Sequence, residues 1–318
     1  AGRPPLPERR DVRFESGGET LAAWHLTGDG DAFERPAGRP CVVMAHGIGG
    51  TRDSGLLPFA EAFAEAGLDV LLFDYRCFGD STGKPRQQAW PPHHREDYRA
   101  AVAFARGLGG VDSERVVLWG SAWSGGHVVY VAADDNRIAA VISQTADLDG
   151  MRTMMEIVRA GGMAQLLRLT AHGLRDAVAA LRGVERHNIP IVARPGSLAA
   201  MSSEEARPGY ESIAGPTWRN EVTGTAALAE GMNRPISRVG DISCPILIQV
   251  AERDSITPPA AGKAAAWRAK GRSEVREYPC NHFDIYKPPW RERAIADQVH
   301  FLRRHLGARS AAEESAAA

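Results

Sequence analysis

The sequence predicts an α/β protein with a doubly wound, mostly parallel central sheet. Short runs rich in Val, Leu and Ile alternate with longer amphipathic segments, and a chain of 318 residues is long enough to bury a large core. Nearly continuous apolar runs are typical of strands that are buried on both faces of a parallel sheet, and helices connect such strands. Hydrophobic residues at 44% and charged residues at 24% exclude a collagenous or coiled-coil protein.

The predicted strands and helices follow one another from about residue 40 onward. The strands cover residues 40–46, 68–75, 115–120, 137–143 and 244–251, and a short strand follows at 273–279. The helices cover residues 57–66, 95–108, 125–133, 259–270 and 289–306. In the last helix, Ile295, Val299 and Leu302 recur at helical spacing beside polar residues, which predicts one buried face.

The alternation of strands and helices breaks after residue 147. A Met-rich, helix-like stretch comes first, and a segment punctuated by Pro and Gly follows at 190–216. Strand-like sequence resumes near residue 242. We therefore predict a core formed by residues 1–147 and 236–306, a mainly helical cap inserted at 148–235, and a disordered tail at 307–318.

The charge balance and the apolar segments exclude several classes of partner. A net charge of −1 provides no broad basic field for nucleic acid or for an anionic membrane. No apolar run approaches the roughly 18 residues of a membrane span, and the N-terminal segment AGRPPLPERR lacks the apolar core of a signal peptide. We expect a cytoplasmic protein with a small-molecule partner, no nucleic acid and no membrane, and we leave open whether it forms a homo-oligomer.

The cysteines and histidines give no metal signature. The cysteines are far apart in the chain, at Cys41, Cys77, Cys244 and Cys280. Such spacing is typical of reduced cysteines rather than of a zinc site or a disulfide framework. His93 and His94 follow Pro91 and Pro92, which favours a surface loop over a metal site. We expect no bound metal.

The segment LWGSAWSGGHV, residues 118–128, carries the strongest functional signal. It joins the predicted strand 115–120 to a helix through a tight turn of small residues, as in the nucleophile elbow G-x-S-x-G. In one register Gly120 and Ser124 flank position 122, and in the other Ala122 and Gly126 flank Ser124. The first register fits better, because the leading glycine directly follows the strand.

The first register places Ala122 at the nucleophile position. A methyl group cannot attack a carbonyl, so this chain is expected to be inactive in covalent catalysis. We favour an engineered replacement of serine by alanine, because the rest of the machinery is intact, and we predict serine at position 122 in the parent protein. Two alternatives stay open: a natural pseudoenzyme, and the second register with Ser124 as the nucleophile.

A serine nucleophile needs a histidine base and a carboxylate that orients this base. In the α/β elbow class these residues follow the nucleophile in the order acid, then histidine. Asp254 follows the strand at 244–251, at the carboxyl edge of the sheet, where open α/β sheets place their sites. His282 lies in the loop after the strand at 273–279. Asp284 is a rival acid, but its proximity to His282 in sequence favours a local supporting role.

The segment HGIGG supplies the remaining catalytic element. It follows the first predicted strand and consists of His46, Gly47, Ile48, Gly49 and Gly50. We assign the oxyanion-binding donors to the backbone N–H groups of Ile48 and Trp123, because acyl transfer needs two such donors. Phosphate binding is disfavoured, since the segment contains neither a P-loop lysine nor G-x-G-x-x-G.

Five segments together resemble the α/β-hydrolase superfamily: HGIGG, FDYRCFGDSTG, GSAWSGGHV, AERDSITPP and NHFDIY. They are similar in particular to bacterial serine esterases of the carboxylesterase type, whose elbow reads G-T-S-F-S-G-G-H-V. The resemblance covers residues 10–146 and 234–306 and is weaker across the insertion, which resembles the helical lid of that superfamily. The departures are Ala122 for serine, Trp123 for phenylalanine and Asn281 for glycine.

The resemblance implies hydrolysis of a carboxylic ester through an acyl-enzyme intermediate, with no metal or organic cofactor. A hydrophobic or aromatic ester or monoester is the expected substrate, and we assign Met151, Met154 and Met155 to its pocket. Arginines of the insertion are candidates for binding a substrate carboxylate: Arg152, Arg159, Arg168 and Arg175. The alternatives are a thioesterase, a lactonase, a carbon–carbon hydrolase, an acyltransferase, an aspartate-type dehalogenase or epoxide hydrolase, and a ligand-binding pseudoenzyme.

Overall fold

The computed structural model describes residues 8–307 and contains one large sheet and one small one. Residues 308–318, which hold nearly all of the predicted tail, lie outside the described part. The strands are β1 (Arg9–Ser16), β2 (Glu19–Leu26), β3 (Arg39–Ala45), β4 (Asp69–Phe73), β5 (Val111–Ser121), β6 (Ile138–Gln144), β7 (Asn188–Ile189), β8 (Val222–Thr223), β9 (Ile246–Ala251) and β10 (Ser273–Tyr278).

The large sheet has the order β1-β2-β4-β3-β5-β6-β9-β10. The pairs from β4 to β10 are parallel, whereas β2 pairs antiparallel with both β1 and β4. Every residue of β4 and β9 is buried, as expected for strands that are covered on both faces. The predicted fold class, a mostly parallel α/β sheet, is confirmed.

The helices connect these strands as the sequence pattern predicts. They are α1 (Leu57–Glu65), α2 (Pro91–Arg106), α3 (Trp123–Asp134), α4 (Gly150–Leu181), α5 (Ala206–Glu211), α6 (Thr225–Glu230), α7 (Pro259–Arg268) and α8 (Trp290–Leu306). Helices α2 and α3 pack together beside β5, while α1 packs against α8. No helix within residues 8–307 is long and apolar enough to cross a membrane.

The antiparallel hairpin of β1 and β2 was not predicted. The segment that forms β1, RRDVRFES, is largely exposed and polar, so it lacks the apolar run by which the other strands were found. The only sequence feature that indicates this hairpin is its turn. Gly17 and Gly18 join the two strands there, with φ values of +57° and +82°. Consecutive residues with positive φ are typical of the tight turns in hairpins.

The expected surface loop at His93 and His94 is wrong. Both residues lie in the first turns of α2, which begins at Pro91, four residues before the predicted start. Proline is well tolerated in the first turn of a helix, since the N–H groups there have no partner within the helix. His94 is 1% exposed and stacks on Tyr75, with the two ring centroids 3.8 Å apart.

The segment between β6 and β9 adds no strand to the large sheet within the described residues. Its long helix α4 is kinked at Gly162, which has φ +72° and ψ 173°, and it packs against α6. The buried Asp176 fastens α4 to the following segments. Its carboxylate accepts hydrogen bonds from Arg186 and from the backbone N–H groups of His187 and Thr225.

Candidate active site

The turn between β5 and α3 has the geometry of a nucleophile elbow. Ala122 is the residue before α3, with φ +52° and ψ −120°, a left-handed conformation that is uncommon for residues other than glycine. A Cβ atom at Gly120 would lie 2.3 Å from the carbonyl oxygen of Ser124. The turn can therefore close only over a glycine two residues before position 122, which explains the small-residue pattern.

Ser124 has the surroundings of a structural residue. It is fully buried, and its hydroxyl is 2.9 Å from the carbonyl oxygen of Ala45 and 3.0 Å from that of Ser121. The same hydroxyl accepts a hydrogen bond of 2.9 Å from the N–H of Ser121. Ser124 does not line the main cavity, whereas Ala122 does.

The structure brings His282 and Asp254 together. The Nδ1–H group of the histidine donates to a carboxylate oxygen of Asp254 over 2.7 Å, which leaves Nε2 as the free ring nitrogen. The other oxygen of Asp254 accepts from the backbone N–H groups of Ile256 and Thr257, each at 2.7 Å. The rival Asp284 accepts instead from the N–H of Asn281 and caps its own short helical turn.

Glu205 is a site residue that the sequence analysis missed. It precedes α5 in the insertion, and its carboxylate accepts from the N–H of His282 at 3.0 Å and from the hydroxyl of Ser255 at 2.6 Å. Burial lowers the pKa of His282, but the negative charges of Asp254, Glu205 and Asp147 outweigh burial and raise this pKa above its usual value. Nothing in the sequence near Glu205 indicates this long-range contact.

The HGIGG segment lies against the elbow. A Cβ atom at Gly47 would lie 3.0 Å from the Cβ of Ala122 and 3.8 Å from the backbone nitrogen of Trp123. In the described part of the chain, the N–H groups of Ile48 and Trp123 have no hydrogen-bond acceptor. The Tyr210 hydroxyl donates to the carbonyl oxygen of Ile48 at 2.8 Å and so holds the segment from the side of the insertion.

Three further residues of this segment are in close contact with their neighbours: His46, Gly49 and Gly50. Gly49 has φ +66°, and a Cβ atom there would lie 2.4 Å from the Ile191 side chain. His46 is buried, and its Nδ1–H group donates to the carbonyl oxygen of Gly47 at 2.8 Å. Burial lowers the pKa of His46 to about 4, so the ring is neutral at pH 7. A Cβ atom at Gly50 would lie 3.0 Å from the Tyr210 hydroxyl, so this position also requires a small residue.

A cavity of about 420 Å³ opens beside Ala122, between the sheet edge and the insertion. Its wall is mainly apolar and includes Met154, Ile157, Leu166 and Leu169 of α4. Only one of the three methionines assigned to the pocket lies there. Met151 and Met155 are 44% and 62% exposed and do not line the cavity, because they lie on the outer face of α4.

The arginines of α4 do not reach this cavity. None of the four candidates is among the residues that line it: Arg152, Arg159, Arg168 and Arg175. Carboxylates do line it, among them Glu156 and Glu204, so the expectation of an arginine clamp for a substrate carboxylate is wrong. Within residues 8–307, no group of three or more His, Cys, Asp or Glu side chains is placed to hold a metal ion.

This arrangement can support acyl transfer if position 122 carries a hydroxyl. The elbow presents the side chain of residue 122 to the cavity. His282, which Asp254 orients, lies in an adjoining small cleft that Ala122 also lines. The free backbone N–H groups of Ile48 and Trp123 lie near the elbow. A nucleophile, a base and an oxyanion site in this relation perform the steps of acyl transfer.

Comparison with known proteins identifies the fold family of this chain. Residues 40–289 match the model of the alpha/beta hydrolase fold family. The chain is 36% identical over 299 residues to the quorum-quenching protein AidA of Acinetobacter baumannii, which covers 92% of this chain and 94% of AidA. It is 29% identical over 235 residues to the thiohydrolase aneE of Aspergillus aculeatus, which covers 70% of this chain and 71% of aneE.

The solved structures agree at the level of the fold. The crystal structure of the alpha/beta hydrolase GrgF from Penicillium sp. sh18 has a TM-score of 0.80 at 24% identity and covers 94% of this chain and 99% of GrgF. The fold, the elbow and the matched family model together lead to one conclusion: the chain belongs to the alpha/beta hydrolase fold family.

Proposed function

We propose that the parent protein is a serine hydrolase that cleaves a carboxylic ester through an acyl-enzyme intermediate. The observation that carries this proposal is the position of Ala122, which occupies the centre of the elbow beside the free N–H groups and near the His282–Asp254 pair. We further propose that serine stands at position 122 in the parent and that this chain is an inactivated variant.

With serine at position 122, the reaction has two balanced halves. The serine hydroxyl attacks the ester carbonyl while Nε2 of His282 takes its proton, and the resulting oxyanion accepts hydrogen bonds from the N–H groups of Ile48 and Trp123. The imidazolium then protonates the departing alcohol. In the second half, His282 deprotonates a water molecule that attacks the acyl-enzyme, and the proton returns to the serine oxygen as the acid leaves.

The cavity and the relatives support a hydrophobic acyl substrate. The wall formed by α4 is apolar and lined in part by a flexible methionine, Met154. The relatives named above are called a quorum-quenching protein and a thiohydrolase, and a further relative from Aspergillus fumigatus is called a polyketide transferase. Lactones, thioesters and acyl transfer therefore belong in the substrate screen beside simple esters.

The test compares this chain with its Ala122→Ser variant on short and medium p-nitrophenyl esters. We expect the serine variant to exceed this chain by at least about a thousandfold in kcat, since a lost nucleophile removes covalent catalysis but not binding. As a control, Asp254→Asn in the serine background should lose about ten-thousandfold in kcat, because the histidine is left in the wrong tautomer.

Four outcomes contradict parts of the proposal. Equal activity of both proteins would show that position 122 is not the nucleophile. A serine variant that binds esters but turns over none of the screened esters, lactones or thioesters would favour a ligand-binding pseudoenzyme. This is the second candidate function, because Ala122 has no nucleophilic group. Alanine at codon 122 of the source genome would favour the same reading, and aspartate there would indicate the aspartate-type branch of the family.

A further inference from the structure

A row of buried polar side chains crosses the large sheet next to the elbow. Ser121 of β5 pairs with Gln144 of β6, which in turn pairs with Gln249 of β9. Gln298 of α8 covers the row, and all four residues are fully buried. Side chains at paired positions of neighbouring strands lie on the same face of a sheet, so these polar groups are within reach of one another.

The hydrogen bonds of this row have one direction, which a single donor sets. The indole N–H of Trp119 can only donate, and its acceptor is Oε1 of Gln298 at 3.2 Å. The amide nitrogen of Gln298 therefore donates to Oε1 of Gln144 at 2.8 Å and to Oε1 of Gln249 at 2.6 Å. The amide nitrogen of Gln144 is left to donate to Oγ of Ser121 at 3.2 Å. Within residues 8–307, no polar side-chain atom of this row lacks a partner, so the network is rigid rather than costly.

Tyr286 joins this row from the segment that carries the catalytic histidine. It ends the short helical turn His282–Tyr286, and its hydroxyl is 2.5 Å from that of Ser121. Burial raises the pKa of Tyr286 to about 12, so the phenol is protonated at pH 7 and can donate to Oγ of Ser121. The ring of Tyr286 is buried and packs edge to face against Phe59. The hydroxyl is thus held in place from both ends of its side chain.

This contact is the direct link between the histidine segment and the elbow. Among the residues that the structure describes, no other hydrogen bond joins residues 282–286 to the elbow. The bonds of His282 to Asp254 and Glu205 orient the ring and hold its backbone, but these partners follow β9 and lie in the insertion. They do not connect the imidazole to position 122, whereas the tyrosine does so through the neighbouring residue.

We propose that Tyr286 and Ser121 are positioning residues, whose hydrogen bond holds His282 within reach of the nucleophile position. Ser121 directly precedes residue 122, so a bond to its side chain ties the histidine segment to the backbone of the nucleophile. Gln144 steadies that backbone twice, because its amide donates to Ser121 and its carbonyl oxygen accepts from the N–H of Ala122 at 3.0 Å. The catalytic part of this inference rests on the proposed function, whereas the restraint on the histidine segment does not.

Hydrogen exchange of this chain tests the restraint without any turnover. Tyr286→Phe keeps the ring and removes the hydroxyl, and amide exchange in residues 282–287 should become about five- to tenfold faster, the effect of one lost hydrogen bond. Tyr278→Phe is the matched control. It removes another buried tyrosine hydroxyl at the far end of the same network, where that hydroxyl accepts from Gln249 at 2.7 Å. Exchange in residues 282–287 should be unchanged in this control, because Trp119 still sets the direction of the bonds near the elbow.

Kinetics in the Ala122→Ser background test the catalytic consequence. Tyr286→Phe should lower kcat on p-nitrophenyl esters about ten- to a hundredfold and leave KM within about twofold, since a misplaced base slows the chemistry but not binding. Labelling with a fluorophosphonate, which reacts once with an activated serine, counts the functional sites, so kcat refers to folded protein only. Ser121→Ala removes the other half of the bond, and the double variant should lose no more than the larger of the two single losses. Tyr278→Phe should keep kcat within a few-fold.

Unchanged exchange of residues 282–287 in Tyr286→Phe would overturn the restraint. Losses of kcat that add up in the double variant, or an equal loss in Tyr278→Phe, would overturn the positioning role, and so would a raised KM at constant kcat. If Ala122→Ser turns over none of the screened substrates, the hydrolase proposal fails. The exchange rates then decide on their own whether the bond between Tyr286 and Ser121 restrains the histidine segment.

Discussion

Ala122 and Ser124 are two residues apart, and their surroundings are opposite. The Ala122 methyl borders the cavity at a left-handed backbone position, whereas the Ser124 hydroxyl is fully buried and links β3 to the elbow. From the sequence alone both registers of the motif were open, because each has small residues on both sides. The hydrogen bonds of Ser124 distinguish the two registers. Its hydroxyl is bonded to backbone carbonyl and N–H groups and is buried, so it cannot reach a substrate.

This difference predicts the result of removing the Ser124 hydroxyl. In the Ala122→Ser background, Ser124→Ala should lower the free energy of unfolding by about 1–3 kcal/mol, because the N–H of Ser121 and the carbonyl of Ala45 lose a buried partner. Turnover at a temperature well below the melting point should stay within a few-fold of the Ala122→Ser value. Urea unfolding and p-nitrophenyl ester assays measure the two effects. Complete loss of turnover in a folded protein would restore Ser124 as the nucleophile.

Glu205 allows a second residue-level prediction, because its charge raises the pKa of His282. Glu205→Gln keeps an acceptor for the N–H of His282 but removes the charge, so the pKa of His282 should fall. Hydrolysis needs the neutral histidine, and the acidic limb of the pH profile of kcat/KM in the Ala122→Ser background should therefore move to lower pH. A limb that stays in place while activity drops would assign Glu205 a purely structural role.

Elements differed in how well the sequence predicted them. Strands β3, β4 and β9 were found because burial on both faces requires continuous apolar runs. The hairpin strand β1 was missed because its exposed face is polar. The start of α2 was misplaced because adjacent prolines favour a surface loop, whereas here they stand in the first turn of the helix. Both errors arise where one local pattern is compatible with two structures: a polar segment with a loop or an edge strand, and a pair of prolines with a loop or the first turn of a helix.

The elbow provides a test at the level of one element. Gly120→Ala should destabilise the protein by more than about 3 kcal/mol or prevent folding. The new Cβ would clash with the backbone of α3, and neither the strand nor the helix backbone can move away without breaking its hydrogen bonds. Gly109→Ala is the matched control, because a Cβ there meets no atom within 4 Å, and we expect it to stay within about 0.5 kcal/mol of the parent. Urea unfolding of both variants measures the contrast, and similar values would refute this account of the elbow.

The molecule as a whole buries three neutral histidines close together behind the active site. Their side chains are His46, His94 and His127, and the ring centroids of His94 and His127 are 5.4 Å apart. Burial lowers the pKa of His46 to about 4, and burial together with nearby positive charge lowers the pKa of His94 and His127 well below 6.5. The unfolded chain therefore binds more protons than the folded chain in mildly acidic solution.

Stability should consequently fall as the pH decreases from about 6.5 toward 4. Each such histidine contributes a slope of up to about 1.4 kcal/mol per pH unit, whereas His282, whose pKa is raised, changes its contribution to stability above about pH 6.5 and so outside this window. His127→Phe fills the same space without a titratable group and should flatten the slope by up to one proton. Urea unfolding at several pH values checks this, and an unchanged slope in His127→Phe would show that this ring does not contribute.

At the level of the whole molecule, the core was predictable and the contacts of the insertion were not. The order of Asp254 and His282 after their strands follows from the chain pattern, and the structure brings the two together at 2.7 Å. The contacts of Glu205 with His282 and of Glu230 with Asp147 join positions far apart in sequence. Such contacts depend on how the insertion packs on the sheet, and no periodicity in the sequence encodes that packing.

The hydrogen bonds of Glu205 and Tyr210 have a consequence for protein engineering. These residues fasten the inserted segment to the histidine loop on one side and to the HGIGG segment on the other. A chimera that receives this segment from a relative would therefore inherit part of the donor's catalytic geometry along with its substrate preference. Helix α4 lines the cavity and takes no part in the hydrogen bonds of Glu205 and Tyr210. Replacing α4 alone should therefore change the substrate selectivity and leave the catalytic geometry unchanged.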